Sequence, residues 1–102
     1  MPDTARDRTM RIDKEMGISH RDFFRILPGA LDTTDYRIDG RSVFVGEGSR
    51  RLNIVLSPET ERRIALLSLP VTQVSLEFVG YDAEEAAAAL ERFDRAFQRG
   101  GG

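Results

Sequence analysis

The chain has 102 residues, of which 40 % are hydrophobic and 31 % charged, with a formal net charge of −2 and no cysteine. That mixture suits one soluble globular domain and is too apolar for a disordered chain. It excludes thiol catalysis, disulfide frameworks and cysteine-ligated metal, and it provides no global attraction for nucleic acid or anionic lipid.

No apolar run approaches the roughly 20 residues that cross a bilayer. The opening stretch MPDTARDRT is polar and lacks the apolar region of a signal peptide. A cytoplasmic protein with no membrane partner is therefore expected. Of 15 basic residues only Lys14 is a lysine. That bias reflects composition and the preference of guanidinium groups for planar pairing with carboxylates.

Residues 1–9 read as a flexible terminus. In MRIDKEM, Met10, Ile12, Lys14 and Met16 alternate, a weak strand signal that a short amphipathic helix could also give. GISHRDFF is a clearer signal. Ser19 is placed as an N-cap, Asp22 as a short partner in a capping box, and Ile18 with Phe23 as a hydrophobic staple. The helix is predicted from about His20 to Leu27, because the residue before Pro28 is biased away from helical dihedrals.

From Tyr36 to Tyr81 the pattern changes to a period of two. Asp39-Gly40 predicts a type I′ hairpin that places Tyr36, Ile38, Val43 and Val45 on one side. GEGS and SPET predict the next turns, and RRLNIVL, ERRIALLSL and TQVSLEFV the following strands, the last two meeting at Pro70. On this reading Leu52, Ile54, Leu56, Ile64, Leu66, Val74, Leu76 and Phe78 join the core side.

Asp82 and Glu85 form a second capping box, followed by Ala86–Ala89 and a stripe at Leu90, Phe93 and Phe97. The expected fold is α+β: a four- to five-stranded antiparallel meander with an N-terminal and a C-terminal helix on one face. It forms a single domain over 10–99, with 100–102 as a flexible glycine tail. The order of elements is similar to that of the TATA-binding-protein fold, a likeness of order that implies no function.

The terminal glycines follow a helix, where Gly is the commonest stop. Use of the terminal carboxylate by a carrier protein is the remote alternative. His20 is the only histidine, expected exposed at a first helical turn. No nucleophile–base spacing, metal-ligand pattern or phosphate loop is present, so the sequence argues against an enzyme and implies no cofactor.

The informative surface is the sheet face expected to lie away from the helices. It carries Arg37, Phe44, Arg51, Asn53, Val55, Arg63 and Leu67, an apolar centre among arginines where a solvated face would ordinarily be polar. A homodimer or a complex with another protein through this face is the expectation. The alternative is an anionic ligand or single-stranded nucleic acid, held by Arg37, Arg51 and Arg63 with Phe44 as a stacking surface.

Overall fold

The computed structural model describes residues 9–100. The chain is α+β, with strand β1 (Thr9–Met16), helix α1 (His20–Leu31), strands β2 (Tyr36–Asp39), β3 (Ser42–Glu47), β4 (Arg50–Leu56), β5 (Thr60–Ile64) and β6 (Leu67–Val79), and helix α2 (Ala83–Gly100). The antiparallel sheet runs β1-β6-β4-β3-β2, with β5 also paired to β6. MRIDKEM is thus a strand, and it lies beside the last strand rather than extending the meander. Thr9 already belongs to β1 and Gly100 still belongs to α2. The remaining residues of the expected flexible ends, 1–8 and 101–102, lie outside the described residues.

Helix α1 begins as the sequence implies. The Ser19 hydroxyl accepts from the Asp22 N–H at 3.1 Å, and Ile18 and Phe23 are buried. The His20 N–H is met by the Glu59 carboxylate at 2.8 Å, while Asp22 turns to Arg25. The helix does not stop at Leu27. It continues through Pro28 to Leu31 and ends on Asp32 in a left-handed conformation, φ 56°. Proline removes one helical hydrogen bond, but burying Ala30 and Leu31 offsets that loss.

Helix α2 carries a reciprocal box: Asp82 accepts from the Glu85 N–H at 2.8 Å and its own N–H reaches Glu85 at 3.0 Å. Phe23 stacks on Phe97 at 4.9 Å and meets Phe93 at 6.2 Å, which fixes the two helices against each other. Beneath them lie Val43, Val45, Leu52, Ile54, Leu56, Val74, Leu76 and Phe78, all buried.

The hairpin between β2 and β3 differs from expectation by one loop residue. Ile38 pairs with Val43 and Asp39 with Ser42, so the loop is Gly40-Arg41, with Gly40 at φ 61°. Glycine at the first loop position supplies the positive φ that such a turn needs. The faces are unchanged, yet Ile38 is exposed on this edge strand.

Strand β5 continues β4 along β6 after a bulge. Leu56 faces Val74 and Thr60 faces Val71, so residues 57–59 stand opposite only 72 and 73. The Ser57 hydroxyl takes the Gln73 N–H at 2.9 Å, which leaves the Ser57 carbonyl to accept from His20 Nε2 at 2.7 Å. His20 is therefore half-buried, joining α1 to the bulge, rather than exposed as expected.

Candidate interaction surface

Pairing registers place one row across the side of the sheet away from the helices: Arg37 beside Phe44, Phe44 beside Asn53, Asn53 beside Glu77, and Glu77 beside Arg11. The next row holds Ser42, Val55, Ser75 and Asp13. Arg51 lies in the row on the other side of Asn53, between Gly46 and Val79. Five of the expected site residues, Arg37, Phe44, Arg51, Asn53 and Val55, thus share one continuous surface.

Arg63 does not join them, and Leu67 keeps to their side but lies further along β6. Beyond the bulge, β5 and the first half of β6 form an arm that, among the described residues, pairs only with itself. Alternation along β6 keeps Leu67, Leu69 and Val71 on the side of Gln73 and Ser75. Registers then bring Ile64, Arg62 and Thr60 to that side, and send Glu61 and Arg63 to the other with Pro70 and Ser68. The extra residue at the bulge reverses the alternation between β4 and β5, as a one-residue slip must. Arg63 is therefore not on the expected face. Ile64 and Leu66, expected in the core, are exposed in the arm.

The polar groups of the surface are already engaged. The Arg37 guanidinium lies over the Phe44 ring, 4.8 Å from its centre. Asn53 donates to Glu77 at 3.1 Å, and Arg51 donates to the Gly48 carbonyl at 2.7 Å. Hydrogen bonds from Arg11 and then Ser75 hold the Asp13 carboxyl below its ordinary pKa. Those from Gln73 and then Arg62 do the same for Glu15. Val55, 47 % exposed, stands among these pairs.

A depression at one end is lined by Tyr36, Arg37, Phe44, Gly48, Arg51 and Asn53. It has two guanidinium groups, but the Phe44 face is covered by one of them, and Glu77 adjoins through Asn53. Among the described residues no group of three or more His, Asp or Glu side chains is arranged to hold a metal ion, and no helix is long and apolar enough to cross a membrane. Sequence reasoning missed the apolar side of the arm. Its only signal is the run IALLSL after the charged ERR, which reads equally well as a core strand.

No family model, curated protein or solved structure matches the chain.

Proposed function

We propose that the chain is a small non-catalytic interaction protein that associates with a second copy of itself through the open side of its sheet. The observation that carries this reading is where the exposed apolar side chains lie. Val55 and Leu67 are on the side no helix covers, and the half-buried Phe44 joins them. Single exposed aliphatic residues are ordinary. An apolar centre edged by Arg37 and Arg51 has the composition of a protein interface, where arginine packs its stem and still pairs.

The charged groups nearby support the same reading. Arg11 with Asp13, Glu15 with Arg62 and Gln73, and Asn53 with Glu77 are paired along the surface. They level it instead of converging on a cleft. A phosphate-bearing ligand is less well served, because Arg37 occupies the Phe44 ring that a base would need. A cytoplasmic setting belongs to the same proposal and rests on the cysteine-free sequence.

Sedimentation velocity over a concentration series tests it. A dimer is expected, with Phe44→Asp shifting it toward monomer while circular dichroism stays unchanged. An aspartate is tolerated on a wet surface and costly in a dry interface. A wild-type chain that stays monomeric at about 1 mM, where even an association of about −4 kcal/mol would show, removes the reading.

A further inference from the structure

Of the seven exposed large apolar residues among those described, four lie in the arm: Ile64 at 52 %, Leu66 at 102 %, Leu67 at 63 % and Leu69 at 42 % exposure. A two-stranded ribbon alone is marginal in water and needs a second layer on its apolar side. Among the described residues the fold supplies none, because β1 ends at Met16 opposite Thr72 and the helix-side core does not include these residues.

We infer that this second layer is the arm of another copy, the two packing face to face about a two-fold axis through Ile64, Leu67 and Leu69. This rests on the self-association reading but names a different part of the molecule as its anchor.

Four observations select that occupant. Three of the four apolar residues keep to one side, and the fourth, Leu66, stands at the turn. Ile64, Leu67 and Leu69 share that side, while Glu61, Arg63, Ser68 and Pro70 hold the other. Two such ribbons stack about 10 Å apart with their polar sides still wet. The turn Ala65-Leu66 at the tip is apolar as well, and vesicle flotation separates this packing from a membrane wedge.

Both edges of the arm resist strand addition. The Pro70 carbonyl points toward Gly17, since a Cβ added there would meet it at 3.9 Å, so the proline nitrogen, which has no hydrogen, faces that open edge. The other edge, β5, carries Glu61, Arg62 and Arg63, the charges that blunt an edge strand. What remains available is the face.

Charge agrees with this. Arg62, on the apolar side, is drawn to Glu15 at 2.7 Å. Glu61 and Arg63 are of opposite sign on the far side, so two arms approach without net repulsion. The rest of the open surface is more mixed: its rows hold Arg37, Phe44, Asn53, Glu77, Arg11 and Asp13 around Val55, so the longest purely aliphatic stripe is in the arm. The complement to an aliphatic stripe on this chain is the same stripe on a second copy, which is the condition for an isologous interface. A standard-size interface buries about 800 Å² per partner, more than Ile64, Leu67 and Leu69 expose, so the arms anchor the contact and the adjoining open side of the sheet completes it.

Sedimentation equilibrium on the full chain tests this with Leu67→Asp/Leu69→Asp and, as a control on the opposite side, Ser68→Asp. The double variant should raise the dimer Kd about 30-fold or more with an unchanged circular dichroism spectrum, and the control should leave the Kd within about threefold. Independently of how the aspartates affect folding, Leu67→Cys should be cross-linked into dimers by a short bis-maleimide and Ser68→Cys should not, since the chain has no other cysteine.

A dimer that ignores the arm variants but dissociates with Phe44→Asp overturns the arm and keeps self-association. A wild-type monomer at about 1 mM overturns both. A monomer that floats with phosphatidylserine vesicles, and loses them on Leu67→Asp/Leu69→Asp, overturns the dimer in favour of a membrane wedge.

Discussion

Strand β6 has two halves with different surroundings. From Thr72 to Val79 it is paired with β1 throughout and with β4 from Val74 onward, and Val74, Leu76 and Phe78 are sealed beneath the helices. From Leu67 to Val71 it is paired on one side by β5, and its leucines are open to solvent. The residue types are alike and the backbone is one strand, so intrinsic strand preference does not separate them. What separates them is whether another layer exists. The comparison teaches that alternation marks a side as apolar, and that only tertiary packing makes that side a core.

The largest expected effect lies just past the sealed half. Gly80 has φ 77°, and a Cβ there would stand 1.7 Å from the Ser49 carbonyl oxygen. Nothing flexible can yield, because the clash is with backbone. Gly80→Ala should cost about 4 kcal/mol or more. Urea unfolding followed by circular dichroism would measure it, and a loss below about 1 kcal/mol would mean that β6 and the β3–β4 turn are not in contact.

The two halves can be compared directly by truncation. Phe78→Ala should cost about 3 to 5 kcal/mol, whereas Leu69→Ala in dilute, monomeric protein should stay within about 0.5 kcal/mol. Equal losses in the same denaturant series would break the comparison and place the arm inside the cooperative core.

How much of this was legible in the sequence follows the same division. Cap signals located both helix starts, because Ser19 and Asp82 act through neighbours three residues away. Alternation located the sealed strands. Pro28 misled, since burial of Ala30 and Leu31 carried the helix past a local preference. The arm's turn was invisible: Ala65-Leu66 lacks the usual turn residues, yet Ala65 adopts φ 55°. The bulge at 57–59 was equally hidden, and by reversing the alternation it moved Ile64 and Arg63 to sides opposite to those expected. At the candidate surface, local pairing brought Arg37, Phe44, Arg51, Asn53 and Val55 together as expected. The anchor in the arm depends on a missing layer, which no single strand records.

A smaller effect belongs to the joint between the two halves, where α1 begins on the bulge. Ser19→Ala should cost about 1 kcal/mol, because the Asp22 N–H loses its hydroxyl partner while Glu59 still holds the His20 N–H. A thermal melt would show the loss. If the variant melts like the wild type, Glu59 alone fixes the start of the helix.

The smallest effect concerns the Glu15 link between the arm and the body. Glu15 lies on β1 and accepts from Gln73 on β6 and from Arg62 on the arm, at 3.0 and 2.7 Å. These hydrogen bonds lower its folded-state pKa below the ordinary value. A carboxylate with a depressed folded pKa binds fewer protons folded than unfolded through that window. Its contribution is fully present above the ordinary glutamate value of about 4.3 and is lost as pH falls through the folded pKa. The side chain is about half exposed, so solvent and salt weaken the effect. Glu15→Gln removes the titrating proton and keeps an oxygen acceptor. The wild type should therefore lose more melting temperature than Glu15→Gln between about pH 6 and pH 3, with other carboxylates contributing equally to both. Added salt should narrow the gap. If the two chains lose the same amount, Arg62 does not hold Glu15 in solution. The base of the arm would then be tied to the body by backbone pairing and by the contacts of His20 with Ser57 and Glu59.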